Sequence, residues 1–301
     1  MPTTYSTEQL KRFQSEAVQF FGAELMLLKD VIPKINDGKL EKPAILLLSC
    51  GQTGEALIYL SQHIPDTFSS QAVMLARAFM ETITNFVYLG VCDETEYQSF
   101  LLHPVYKHYH NVGRMQMEDD WDFEDLEANF KPKRDKQEKL KELPIVQEAL
   151  AMFSETKAHL NWTTKKLDDR IDVINKWGKL LDVFFTLCKS RYYSDASETL
   201  HGSLYGCTYG IGAFDPGFDH KDTEALNRKL LKDNTCVLLH LGMLIHEAFT
   251  LIHYTNEIKE IWDHSYRNRN QALNFLHLVL EKKIPGFDEE QNKAFKQYFT
   301  T

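Results

Sequence analysis

The chain has 301 residues, 43% of them hydrophobic and 26% charged, which suits a substantial buried core and excludes wholesale disorder. A formal net charge of −9 excludes the broad basic surface that non-specific binding to duplex DNA needs, while leaving room for a local anion or nucleotide pocket. Cys50, Cys92, Cys188, Cys207 and Cys236 are scattered and contain no C-x-x-C pair, so neither a disulfide framework nor a zinc finger is indicated.

Helical periodicity dominates, and strand-like alternation is nearly absent. The first helix is predicted to begin after Ser6 as N-cap, with Phe13, Val18, Phe20, Phe21, Leu25, Leu28 and Val31 as apolar positions, ending near Pro33. A second runs from about Pro43 to His63, where Pro65 and Asp66 force a turn. The third, from about Ser69 to Gly90, puts Ala72, Ala76, Phe79, Ile83, Phe86, Val87 and Gly90 on one face. A fourth spans Glu94 to Arg114. An acidic stretch from Glu118 to Glu127 and a basic one from Lys131 to Lys141 then suggest a charged helical excursion at about 118–143.

Further helices are expected over Pro144–Leu160 and Asp169–Tyr192, with a short one over Asp195–Leu204. A loop follows that holds Gly202, Gly206, Gly210, Gly212 and Gly217. The C-terminal part reads as a long helix from Asp222 to Glu260, with a break inside it as an alternative, and another from Asn268 to Lys282. The apolar run Cys236–Tyr254 contains His240, His246, Glu247 and His253, which are costly in lipid, so it reads as a buried core helix and not a membrane span. The N-terminus has no secretory pattern, and the expected compartment is the cytoplasm. The expected architecture is all-α: one domain over 1–301, a bundle of about eight to ten helices, with the Gly-rich loop after His201.

Two polar groupings stand out. The third helix carries Arg77, Glu81, Thr84 and Tyr88 at i, i+4, i+7 and i+11, a stripe beside its apolar face. There a guanidinium can hold an anion and a carboxylate can orient a partner; the plain alternative is an ordinary i,i+4 ion pair. The second grouping is Arg191 to Ser203, in which Tyr193, Ser197 and His201 share one helical face while Glu198 and His201 nearly share another. A histidine one turn from a hydroxyl or carboxylate can serve as acid, base or ligand. Its plain alternative is a helix start, with Asp195 as N-cap and Glu198 as its capping-box partner.

Arg77-x-x-x-Glu81 in an early apolar helix, with Ser197-x-x-x-His201-Gly202-Ser203 after Tyr192-Tyr193, resembles a bacterial family of helical domains of unknown function. Some of its members lie beside mobile elements and phage-defence genes. The resemblance covers roughly residues 45 to 255; it implies a shared site for the two motifs and brings no established activity. The HEPN class of helical ribonucleases, marked by an arginine with a histidine a few residues beyond, is an analogy only. The spacings from Arg191 to His201 and from Arg269 to His277 are both too long.

Other chemistry reads weakly. Glu198-x-x-His201 matches half of a di-iron helix pair, but no second copy appears. Glu260 with His264, and His246, Glu247 and His253, are the remaining candidate ligands, and no metal is expected. Gly51-Gln52-Thr53-Gly54-Glu55 lacks the Lys-Ser/Thr ending of a phosphate loop, and its small residues suit close helix packing instead. The leading functional expectation is therefore a polar pocket with His201, Glu81 and Glu198 in catalytic roles and Arg77, Tyr193 and Ser197 binding ligand. A nucleotide or RNA would be its client, in bacterial defence, and the cofactor is unknown. The competing expectation is a non-catalytic helical scaffold or homo-oligomer in which the same residues form a structural network.

Overall fold

The computed structural model describes residues 5–36, 38–64, 69–112, 134–154, 161–177 and 223–280. These form α1 (Thr7–Val31), a 3-10 turn (Ile32–Lys34), α2 (Gly38–Glu41), α3 (Ala44–Ser61), α4 (Ser69–Val91) and α5 (Glu94–Val112). After them come α6 (Arg134–Lys141), α7 (Pro144–Met152), α8 (Leu167–Trp177), α9 (Thr223–Thr255) and α10 (Lys259–Leu280). The protein is all-α, with no strand among the described residues. The chain divides into two compact units, 1–90 with 170–301, and 91–169.

In the larger unit α1 packs on α3, α9 and α10. Its start follows from sequence: the Ser6 hydroxyl accepts from Gln9 N at 3.2 Å, and the Gln9 side chain accepts from Ser6 N at 2.9 Å. This capping box satisfies two backbone donors that a helix start otherwise leaves open. Ala17, Phe21, Leu25, Leu28 and Val31 form its buried face. Two glycines let neighbours approach α1 closely. A Cβ at Gly54 of α3 would lie 2.6 Å from Leu25, and one at Gly242 of α9 would lie 2.3 Å from Phe20. Of the Gly51–Glu55 run, then, Gly54 serves helix packing.

Helix α9 is the core helix. Cys236 to Phe249 are buried throughout, the close-packed Gly242 included. Although α9 is apolar and long enough to cross a membrane, its apolar stretch is 94% buried within the protein. α3 meets the same length and apolarity test and is only 33% buried.

Polar groups are threaded through this core, each with partners. Gln14 of α1 donates from Nε2 to Ser61 O at 2.8 Å and to Asn234 Oδ1 at 2.9 Å, and Asn234 Nδ2 donates to Ser61 Oγ at 3.1 Å. Those three residues tie α1, α3 and α9 together. Ten residues further along α1, Glu24 is fully buried; it accepts from Ser265 Oγ at 2.6 Å and from Asn268 Nδ2 at 2.9 Å, both on α10. His246 of α9 lies 2.9 Å from the same Ser265 oxygen through Nδ1. Because the serine proton is directed at Glu24, Nδ1–H donates to Ser265.

The break between α9 and α10 falls at Asn256, inside the Asp222–Glu260 segment for which a broken helix was the alternative reading. Its side-chain oxygen accepts from Asn36 N at 3.0 Å, beside the 3-10 turn, and Ile258 N donates back to Asn256 O at 2.9 Å. Locally, Thr255 Oγ1 and Asn256 Nδ2 both donate to Ile252 O, at 3.2 and 3.5 Å, so side chains satisfy a carbonyl of the last turn, and asparagine is a common residue at a helix end.

The smaller unit is built on α5, α6 and α7. Leu102, Tyr106 and Ala149 form its buried centre, flanked by Val105, Leu150 and Phe153. The Tyr106 and Phe153 rings lie 4.9 Å apart. Asp93 caps α5 by accepting from Glu96 N at 2.9 Å, which holds its carboxyl below the ordinary value, helped by Lys165 at 3.8 Å. Thr163 Oγ1 donates to Glu96 at 2.6 Å. The expected charged excursion is described only in its basic part, as α6; its acidic stretch lies outside the described residues.

Burial raises the Glu24 carboxyl from 4.5 to about 7, against the opposing hydrogen bonds from Ser265 and Asn268. A carboxyl whose pKa is raised by folding adds stability that is complete below its ordinary pKa of 4.5 and is lost as pH climbs through about 7. We therefore expect Glu24→Gln to remove a pH dependence of roughly 3 kcal/mol between pH 4.5 and 8. Urea unfolding at pH 5 and pH 8 checks it. A variant–wild-type difference unchanged across that range contradicts a neutral buried Glu24.

Candidate functional site

The polar stripe of α4 divides in two. Thr84 and Tyr88 are fully buried, and the Thr84 hydroxyl donates to Met80 O at 2.7 Å within its own helix. Arg77 and Glu81 are half-buried, at the edge of the apolar face made by Ala76, Phe79, Ile83 and Phe86. Arg77 carries its Nη1 into the protein interior.

Glu81 takes a partner that the sequence pattern did not suggest. Arg170, in the first turn of α8, donates from Nη2 to Glu81 Oε1 at 3.3 Å and from Nη1 to Asn85 Oδ1. Glu81 and Asn85 stand i and i+4, so one guanidinium can reach both. Arg170 is only 6% exposed, and a guanidinium that deep needs a carboxylate and an amide to replace water. Nothing local marks this pair, since the residues are 89 positions apart. The surviving signal is that Glu81 and Asn85 are polar within an otherwise apolar helix.

Tyr193, Ser197, Glu198 and His201, with the Gly-rich loop that follows, lie outside the described residues. The structure therefore brings Glu81 together with Arg170 and Asn85, and places Arg77 one turn away on the same face of α4.

A second polar grouping, at the α9–α10 contact, holds His246, Glu247 and His253, which the sequence offered as weak candidate ligands. His246, Glu247 and His253 do not converge on one point. His246 faces Ser265, Glu247 Oε1 lies 3.5 Å from Arg269 Nε, and His253 stacks on Trp262 with centroids 5.4 Å apart. Trp262 stacks in turn on Tyr266, and its Nε1 donates to Thr250 at 3.1 Å. Among the described residues, no three His, Cys, Asp or Glu side chains gather as a metal-binding group.

Burial drives the chemistry of this grouping. His246 is held well below its ordinary value by burial and by the Arg269 charge, and so stays neutral. Glu247 is raised to about 7 by burial, with Arg269 opposing. Desolvation outweighs attraction even within the ion pair. Arg269, at 1% exposure, is a core residue and presents no guanidinium to an RNA backbone.

An all-helical chain with a carboxylate–guanidinium cluster on an apolar helix defines a class by architecture and no reaction by itself. The chain belongs to the family of unknown function DUF5677, whose model matches residues 43–218, more than half of the sequence. That segment holds Arg77, Glu81, Asn85 and Arg170, as well as Tyr193 to His201. It excludes α1, α9 and α10, where the buried network around Glu24 lies. No curated protein and no solved structure matches the chain.

The Arg170 pair is asymmetric, because its carboxylate side chain is 34% exposed while the guanidinium side is 8% exposed. Removing the arginine leaves Glu81 to be hydrated; removing both α4 acceptors takes two partners from a guanidinium that water cannot easily reach. We expect Glu81→Ala with Asn85→Ala to cost about 3 kcal/mol, and Arg170→Met about 1 kcal/mol or less. Chemical denaturation of the two variants measures this. Equal losses, or the reverse order, count against a buried guanidinium dependent on α4.

Proposed function

We propose that residues 43–218 carry an anion-recognising polar pocket that acts on a nucleotide or an RNA phosphodiester, in a bacterial defence role. The observation that carries this reading is the cluster on α4. Glu81 is gripped by Arg170, with Arg77 one turn away, inside the same family segment as the Tyr193–His201 motif. A carboxylate fixed by a buried arginine is preorganised, which a positioning or catalytic group needs.

In this reading Arg77 holds the phosphate of the ligand and Glu81 orients the reacting group. His201 acts as acid or base, with Glu198 as the carboxylate beside it, while Tyr193 and Ser197 supply hydrogen bonds. Histidine suits a proton-transfer role because its ordinary pKa lies near neutrality. The net charge of −9 fits a small, local anion site better than an extended nucleic-acid track.

The Arg170 bonds also favour a second reading. A carboxylate already held by an arginine and backed by an amide can simply tie α8 to α4, in a scaffold or interaction protein without turnover. The two readings separate on stability. A His201 kept for chemistry tolerates truncation with little loss, whereas a His201 that ties the structure together does not.

The experiment is incubation of purified protein with single-stranded RNA and with nucleoside triphosphates, alongside His201→Ala. Turnover by the wild type, lowered at least about a hundredfold in the variant, is the expected result. Equal turnover in both, or none in either, removes the catalytic reading. A large drop in melting temperature for His201→Ala without any activity supports the structural one.

A further inference from the structure

The outer face of α3 exposes large apolar side chains beside Ser49, Gln52 and Glu55. Ile45 is 64% exposed, Leu48 54% and Tyr59 63%, all large side chains that a solvated surface helix would normally replace with charges. The opposite face, with Leu47, Cys50, Gly54 and Leu57, is buried, with Gly54 against Leu25 of α1. The exposed residues of α3 are Ile45, Leu48, Ser49, Gln52, Glu55, Ala56 and Tyr59, recurring at helix–helix seam spacing and placed symmetrically about Gln52, so that reversal sets Leu48 against Ala56. Glu55 is the one charged residue in all of α3.

We propose that α3 is a homodimer interface, pairing antiparallel with α3 of a second copy about a two-fold axis at Gln52. A two-fold interface must be complementary to itself, and this seam is so in only one direction. Reversal about Gln52 sets Ile45 against the second copy's Tyr59, and Ser49 against its Glu55. A serine hydroxyl then donates to the carboxylate. On the axis the two Gln52 amides meet each other, each offering an N–H to the other's carbonyl. Parallel pairing would instead place Glu55 opposite Glu55, which costs energy at close range.

A polar residue that must meet its own copy on the axis fixes register and partner number, which is the role Gln52 takes here. Gly51 lies beside it with nothing within 4 Å of where its Cβ would sit, so the second helix meets no obstruction there. A membrane is the poorer occupant. Helices that lie in a lipid interface carry lysines and arginines along the polar face, and α3 has none, while its other face is taken by the core.

The test uses the full chain with Cys188 and Cys207 changed to Ser, because the described cysteines Cys50, Cys92 and Cys236 are buried. Gln52→Cys is treated with a short bismaleimide, with Tyr254→Cys, 68% exposed on α9, as a collision control. In parallel, sedimentation of wild type and Leu48→Glu is followed over about 1–100 μM, the range for a small interface. The expected result is a predominantly covalent dimer for Gln52→Cys and only background for Tyr254→Cys. Dimerisation of the wild type should be lost in Leu48→Glu, whose folding circular dichroism confirms. A wild type monomeric throughout, a dimer indifferent to Leu48→Glu, or no cross-link at position 52 overturns the proposal. So does binding of phosphatidylcholine–phosphatidylglycerol vesicles that Leu48→Glu abolishes while the protein stays monomeric.

Discussion

The larger unit depends on burying one carboxyl. Glu24 sits at zero exposure in the middle of α1, and its two oxygens are the acceptors that Ser265 and Asn268 of α10 require. Ser265 in turn receives His246 of α9, so three helices that meet through apolar side chains are also fixed in register through one oxygen-rich point. Apolar contact alone is non-directional and tolerates small slips. A buried acceptor pair does not, because a shift along any of the three helices leaves a polar atom without water or partner. The Gln14–Ser61–Asn234 group repeats the device one end further along α1, where it brings in α3.

This arrangement separates where the protein is held together from where it is proposed to act. The polar ties around Glu24, His246 and Glu247 are enclosed, biased towards neutrality by burial, and outside the family segment. The Glu81–Arg170 cluster is half-open and inside it. The contrast is physical: an enclosed neutral network supports shape, whereas a half-exposed charged pair keeps access to solvent and hence to a ligand. Arginine and glutamate recur in both places with different work to do.

The helical architecture was legible because its causes are local. Ser6 with Gln9 announces the start of α1, and the three-four spacing of Ala72 to Val87 announces α4. A break before Glu260 was one of the two readings of the C-terminal part; the bond from Asn36 N to Asn256, 220 residues apart, is what spacing could not show. Glu24 escaped notice for a similar reason: a glutamate between Phe21 and Leu25 looks like a surface residue until its partners on α10 are known. Arg77 and Glu81 were found by their contrast with an apolar helix, yet the true partner of Glu81, Arg170, could not be read from spacing. His246, Glu247 and His253 of α9 were weak candidate ligands by spacing, and three-dimensional placement sends each member to a different neighbour.

Convergence of the Tyr193–His201 motif on the α4 cluster is the central claim, and proximity measures it most directly. Cysteines placed at the exposed Ala78 and at His201, in a chain lacking Cys188 and Cys207, report it through cross-linking with a short bismaleimide. The account expects an efficient intramolecular cross-link at protein concentrations too low for collision between molecules. Two cysteines that each react fully with a single maleimide and yet never join would contradict it.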